Sequence, residues 1–478
     1  MSDTPDAKHG HVTPRADGTK ARCGGPAICS VCAAELAALT PAAPTPPAAP
    51  VNTPEQDACL SDVLNLHNVL CTGSAGTGKS HLLRQMREGF REAYLKLGVV
   101  GSTGIAAVNV GGLTLHTWAG LGIGDQETGA QEPVKNTIHR IRFNSNRRAF
   151  ENITNTNHLA IDEISMISAD LLDHVDTVFR AIRDCQDKPF GGMQLIMFGD
   201  FLQLPPVSKN NVNPAGFAFQ AKVWKEMNVR THVLTKVFRQ ADQPFADALN
   251  DVRVANITPA VSAILNSCYR KPDLNPEIPP VILTTHNADA DTINKSRLAS
   301  IEAQQTGFQA DDVGTDRAKK ILEKCLMPKS LDLKEGAQVM CCLNLDQERG
   351  IVNGTLGKVI GFQGKFERMP IVQFANGVKM TIEPAKWIIR ENEKEIGSRT
   401  QIPLRLAWAI TVHKSQGLTL DKVEVHLEKA FEYGQAYVAL SRARTKEGLF
   451  IASGSRRVIK AHPAALNFYE QALAAKTP

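Results

Sequence analysis

Gly73-Ser74-Ala75-Gly76-Thr77-Gly78-Lys79-Ser80 settles how this chain must be built. It has the form G-x4-G-K-[ST], and its flanks give it context. A short apolar run, Asn68-Val69-Leu70-Cys71, comes before it. After it, Leu82, Leu83, Met86, Phe90, Tyr94 and Leu97 recur at three- to four-residue spacing and predict an amphipathic helix closed by Gly98. Strand, glycine-rich turn and helix in this order make a phosphate cradle. The glycines let backbone N–H groups curl around phosphate oxygens, and the helix N-terminus adds positive potential. Lys79 is expected to reach the β- and γ-phosphates and Ser80 to ligate Mg2+.

Beyond this stretch, apolar runs recur at 99–103, 158–162, 194–200, 281–285, 406–412 and 424–427, with helical patterns between several of them. That alternation predicts an α/β protein built on parallel sheets. The run at 158–162 delivers Asp162 and Glu163. At a strand end these would hold Mg2+ through water and polarise an attacking water, respectively. The run at 194–200 leads into Gly199-Asp200-Phe201-Leu202-Gln203, where Gln203 is placed to sense a γ-phosphate at the sheet's carboxyl edge. Residues 337–383 break the rhythm. There Asn376-Gly377 sits between two apolar runs and predicts a hairpin in a small antiparallel barrel inserted into the α/β frame.

The chain has 478 residues, 43% of them hydrophobic and 22% charged, enough for two or three domains with real cores. The net charge of +5 is too small to announce a polyanion binder, so any nucleic-acid contact must be local. No apolar run reaches membrane-spanning length, and the first residues resemble neither a signal nor a transit peptide. Ten cysteines in a chain this long suit a reducing interior. Residues 1–50 read as an appendage ending in a Pro-rich spacer with Pro41, Pro44, Pro46, Pro47 and Pro50. Within it, Cys23, Cys29 and Cys32, with His9 or His11, are a candidate Zn2+ set, the alternative being free thiols.

The ordered blocks resemble the Pif-type DNA helicases of superfamily 1B, related to RecD-like and phage Dda-like enzymes. The resemblance covers about residues 52–470. It is carried by the segments at 102–120, 162–166, 170–183, 189–207, 237–240, 333–346, 351–362, 401–421 and 434–444. It implies two RecA-like P-loop domains, 51–235 and 236–336 with 401–478, an SH3-like β-barrel at 337–400, and a wedge insertion at about 118–157. It also implies that Gln56 contacts adenine, that Arg239 and Arg442 reach the γ-phosphate, and that Gln416 and Gly417 couple nucleotide state to DNA grip. Thr103, His116, Thr117, His413, Lys414 and Ser415 would line a single-strand groove, with Trp118 and Phe201 as base-stacking candidates. The basic stretch 135–150 reads either as a solvated face or as a strand contact.

The expected activity is ATP-dependent, 5′-to-3′ DNA unwinding in replication, recombination or repair. The expected partners are single-stranded and forked DNA and replication or recombination proteins, with no membrane and a monomeric motor. A DNA-stimulated ATPase remodeller without strand separation and a P-loop kinase are the alternatives. The compact core and the lack of a transit peptide suggest a cytoplasmic protein of bacterial or phage origin.

Overall fold

The computed structural model describes residues 12–14, 20–22, 52–121, 132–143, 146–206, 216–240, 242–272, 277–323, 327–346, 348–364, 368–391 and 394–474. The chain divides into two units, Met1–Asn52 and Thr53–Pro478. In the first, Val12–Pro14 (β1) pairs antiparallel with Lys20–Arg22 (β2). His9, His11, Cys23, Cys29, Cys32 and the Pro-rich run lie outside the described residues.

The second unit holds two parallel sheets. The larger comprises Val69–Gly73 (β3), Leu97–Gly101 (β4), Leu113–Thr114 (β5), His158–Asp162 (β6), Gln194–Phe198 (β7) and Arg230–Leu234 (β8), in the order β5-β4-β6-β7-β3-β8. Every residue of β3 and β7 is buried, as expected for strands covered on both faces. Period-two alternation sorts their side chains into two clusters. Val69, Cys71, Ile196 and Phe198 join Leu82, Leu83, Met86 and Phe90 of the helix Lys79–Glu92. Leu70, Leu195 and Met197 join Leu172, Val175 and Phe179 of the helix Ala169–Ile182.

The smaller parallel sheet comprises Val281–Thr284 (β9), Ala409–Thr411 (β20), Val423–His426 (β21) and Leu449–Ser453 (β22), ordered β20-β9-β21-β22. Its core gathers Leu283, Ile410, Val425 and Ile451 with Phe245 and Leu249 of the helix Gln243–Arg253. The α/β expectation therefore holds.

Between β9 and β20 the chain is largely antiparallel. Thr306–Gln309 (β10) pairs with Ser330–Leu333 (β12). Gln338–Cys341 (β13), Leu356–Gln363 (β14), Met369–Phe374 (β15), Lys379–Thr381 (β16) and Leu404–Leu406 (β19) form a sheet ordered β16-β15-β14-β13-β19. Its β15–β16 turn is the one expected at Asn376-Gly377: Gly377 takes φ +86° and its N–H donates to Phe374 O at 2.9 Å. Asp311–Gly314 (β11), Ala385–Glu391 (β17) and Lys394–Gln401 (β18) form a third antiparallel sheet. Nothing in the sequence pattern marks β17 and β18, because their charged and polar residues break the apolar alternation.

The helix Pro463–Ala474 follows β22, the last strand of the smaller sheet, yet packs on the core of the larger one. Its Ala465 and Tyr469 are buried there with Phe201 and Phe217.

Candidate nucleotide and strand-contact site

β3 ends at Gly73, and the loop that follows enters the helix Lys79–Glu92 through Gly78, which takes φ +89°. Gly76 must be glycine twice over. Its φ is +83°, and a Cβ there would lie 2.4 Å from the Cβ of Arg239. Lys79 folds back on the loop, its Nζ donating to Gly73 O at 2.7 Å and Ser74 O at 2.9 Å. The cradle is thus preformed, with the ammonium at its mouth.

β6 carries Asp162 and Glu163 to the same edge. Glu163 adopts left-handed backbone angles (φ 56°, ψ 48°), a strained state for a non-glycine residue. Its N–H donates to Asp162 Oδ1 at 3.0 Å. Burial, and then the neighbouring Glu163, push the Asp162 carboxyl up to about 7. Burial likewise raises Glu163, against the opposing pull of Lys79, Arg442 and a side-chain contact from Gln416. Glu163 Oε2 is buried with no hydrogen-bond partner among the described residues.

Cations face these acids. Arg239 donates to Ser441 O at 3.1 Å and Gly417 O at 3.4 Å. Arg442, 1% exposed, is held by Val438 O, Ser415 O, Leu418 O and Ser441 Oγ at 2.8–3.3 Å. Burial and then Arg239 push Arg442 down to about 9, and burial also lowers Arg239 and Lys79.

These residues fit a nucleoside triphosphate with a divalent cation. A lysine and two arginines converging on the phosphate loop call for a polyanion, and the adjacent Asp162 and Glu163 carboxyls, both raised by burial, call for a cation. Asp162, with Ser80 at the start of the P-loop helix, is the donor set that suits Mg2+. The cavity that gathers Lys79, Glu163, Gln203, Arg239 and Arg442 measures about 310 Å3. A larger cleft of about 680 Å3, lined by Arg87, Arg91, Lys96 and Arg148, has neither phosphate loop nor acid pair.

The other expected residues fall in several places. Gln56 is buried, and its Oε1 accepts from Thr53 N at 2.9 Å. Its Nε2 lies 2.8 Å from where a Cβ of Gly78 would be, against the phosphate loop. Gln203 lines the cavity and donates from Nε2 to Asp200 Oδ2 at 3.3 Å. Thr103 and His413, both expected to meet DNA, line a cleft of about 100 Å3 together with Glu163 and Gln416. Thr103 Oγ1 also accepts from Ala106 N at 3.2 Å. His116, Thr117 and Lys414 are half-buried, and burial and then Arg405 lower the Lys414 ammonium.

Three expected DNA contacts are corrected. Trp118 is 1% exposed, its ring 6.1 Å from that of Phe179, and Phe201 is 0% exposed among Phe217, Phe219 and Phe468. Neither ring presents a face to a base. Ser415 is 0% exposed, and its hydroxyl donates to Val412 O at 2.7 Å. In the basic stretch, Arg140 pairs with Glu132, Arg142 with Asp184 and Arg147 with Glu151, which matches the solvated-face reading.

Two further groups, one lining the cavity and one bonded to the phosphate loop, are not apparent from the sequence. Phe238, 52% exposed, lines it beside Gly78. Its one sequence signal is adjacency to Arg239. Tyr437, from the helix Gln435–Leu440, reaches the phosphate loop, its hydroxyl accepting from Ala75 N at 2.8 Å.

Comparison with known proteins adds a second line of observation. The profile of a family described as PIF1-like helicase matches residues 53–265, and one described as DNA helicase Pif1, 2B domain, matches residues 318–362. The human ATP-dependent DNA helicase PIF1 is 41% identical over 426 residues, covering 89% of this chain and 64% of that protein. The chain thus spans a little under two thirds of the length of this curated relative. The crystal structure of Pif1 helicase from Candida albicans is 37% identical, covers 88% of this chain and 100% of that one, and superposes with a TM-score of 0.68. Bacteroides sp. Pif1 in complex with ADP-AlF4 is 32% identical, covers 90% and 98%, and gives a TM-score of 0.75. The expected bacterial or phage origin, and the cytoplasmic location that rested on it, are corrected by the curated relatives, which include human, Xenopus laevis and Saccharomyces cerevisiae proteins. A compact core and the composition of the first residues carry no host signal.

Proposed function

The chain belongs to the PIF1-like helicase family, and from that premise we propose that it is an ATP-dependent DNA helicase moving 5′ to 3′ on single-stranded DNA. The observation that carries this reading is the cavity between the two parallel sheets. Lys79, Glu163 and Gln203 come to it from the larger sheet, and Arg239 and Arg442 from residues that follow that sheet in the chain. Domains at 51–235 and at 236–336 with 401–478 would close on ATP and open after hydrolysis, while the segment 337–400, read as SH3-like, would clamp DNA.

In this reading Asp162 and Ser80 hold Mg2+, which supplies charge neutralisation at the phosphate oxygens. Lys79 and the loop N–H groups bind and orient the triphosphate. Glu163, its carboxyl raised by burial, accepts the proton of the attacking water. Arg239 and Arg442 stabilise charge that spreads over the γ-phosphoryl oxygens. Phe238 offers a ring face to the adenine that Gln56 would recognise. Single-stranded and forked DNA are the proposed substrates, supported by a structure of Bacteroides Pif1 bound to ssDNA and by a Pif1 structure described as the basis for DNA unwinding at forked dsDNA. Thr103, His116, Thr117, His413 and Lys414 would meet the strand. Replication or recombination proteins are the proposed partners.

Strand release from duplexes with a 5′ or a 3′ tail tests the reading. ATP-dependent release of the 5′-tailed substrate alone is expected, and ATP turnover without release would overturn it. Lys79→Ala should abolish hydrolysis while DNA binding stays measurable. A Zn2+ ion on Cys23, Cys29, Cys32 and His11 is a separate proposal, supported by the soft donor set. Elemental analysis of the purified chain should find one zinc per molecule.

A further inference from the structure

The helix Pro463–Ala474 carries Tyr469 into the core of the larger sheet, where the side chain is 5% exposed. Its hydroxyl meets three groups that flank the phosphate site. It donates to Asp200 Oδ1 at 3.1 Å and accepts from Phe201 N at 3.2 Å. It also contacts Thr72 Oγ1, one residue before the phosphate loop. A phenol has one proton. With that proton on Asp200, the Thr72 hydroxyl is the donor in the third contact.

Asp200 is the hub of this arrangement and is 0% exposed. Arg253, from the helix Gln243–Arg253 that packs on the smaller sheet, donates to Oδ1 at 2.7 Å and Oδ2 at 2.9 Å. Leu202 N donates to Oδ1 at 3.1 Å, and Gln203 Nε2 to Oδ2 at 3.3 Å. The Arg253 guanidinium also lies over the Tyr469 ring, 4.6 Å from its centroid. One buried carboxylate therefore links the strand before the phosphate loop, the Gln203 side chain, an arginine from the other sheet's core and the C-terminal helix.

We propose that Tyr469 is a positioning residue for ATP hydrolysis: by donating to Asp200 and accepting from Phe201 and Thr72, it fixes the carboxylate that orients Gln203 toward the γ-phosphate. This rests on the nucleotide site assigned above. Without the hydroxyl, the Asp200 backbone stays beside β3 through the β3–β7 pairing, but its carboxylate keeps Arg253 and loses the side-chain link to Thr72. A small turn of that carboxylate shifts Gln203, and misplacement of this kind acts on the transition state more than on ground-state binding.

Tyr469→Phe keeps the ring and removes the contacts. DNA-stimulated kcat for ATP should fall by about tenfold, with KM changed by less than about twofold. Phe468→Leu is the packing control. Phe468 stacks on Phe219 at 4.5 Å, and the substitution loosens the same helix without touching the hydroxyl. It should lower the thermal midpoint and leave kcat at room temperature within about twofold. Thr72→Val should reproduce the kcat loss, and the double variant Tyr469→Phe/Thr72→Val should lose less than the product of the two single effects. Unchanged kcat in Tyr469→Phe, or equal kcat losses in Tyr469→Phe and Phe468→Leu, overturns the proposal while the nucleotide site stands. A wild-type chain with no ATPase activity overturns both.

Discussion

Residue by residue, the site is a set of charges that burial has left poorly compensated. Lys79, Arg239 and Arg442 are all lowered by burial, while Asp162 and Glu163 are both raised by it. Each shift disfavours the charged form and would be relieved by the opposite charge of a ligand. Arg442 is the most confined of the cations. Four protein oxygens hold its fork, so its guanidinium reaches the cavity with little freedom left to lose. Arg442→Ala should therefore reduce kcat for ATP by about 10³-fold, the scale of other arginines that stabilise phosphoryl transfer, and nucleotide affinity far less. Steady-state kinetics beside equilibrium nucleotide binding check this, and equal losses in both would remove its transition-state role.

Among the secondary-structure elements, the antiparallel region is held by a feature that periodicity does not reveal. β11 and β18 align Asp312 directly opposite Arg399. Arg399 is 1% exposed and donates to Asp312 Oδ1 and Oδ2 at 2.7 Å each, and to Met327 O at 2.7 Å. Those hydrogen bonds from Arg399 hold the Asp312 carboxyl below the usual carboxylate range. A folded-state value below the unfolded one means the pair's stabilisation is fully present above about pH 4 and is lost as the pH falls through the depressed value. Asp312→Asn leaves a buried guanidinium without its counter-charge and should cost about 3 kcal/mol near neutrality. Thermal midpoints of the two forms, followed down from neutral pH, should differ most at neutrality and converge below about pH 4. The Asn376-Gly377 hairpin is legible in the sequence because its turn chemistry is local. The β17–β18 hairpin is not, because Arg399 of β18 takes its partner from 87 residues earlier in the chain.

At the scale of the whole molecule, connectivity and packing disagree at the end of the second unit. The helix Pro463–Ala474 follows the last strand of the smaller sheet and packs on the core of the larger one. Phe468 and Tyr469 complete an aromatic cluster with Phe201, Phe217 and Phe219. Ending the chain at His462 would uncover that cluster. The thermal midpoint should fall by at least about 5 °C, and binding of a hydrophobic dye should rise. Calorimetry and dye fluorescence of the truncated chain check both.

The phosphate loop, the strands that end near Asp162 and Asp200, and the α/β class are all legible in the order of the amino acids. They depend on dihedral freedom at glycine and on periodicity over short windows. Which side chains are exposed, and which distant groups meet, emerges once the elements pack. Trp118, Phe201 and Ser415 sit in stretches that read as strand-contacting, yet each is buried beneath or held against residues far away in the chain. Tyr469 reaches Thr72 across 397 residues, a pairing that no local pattern encodes. The physical reason is the same in each case: a backbone turn is set by its own atoms, whereas burial and charge compensation are set by whatever packs on top.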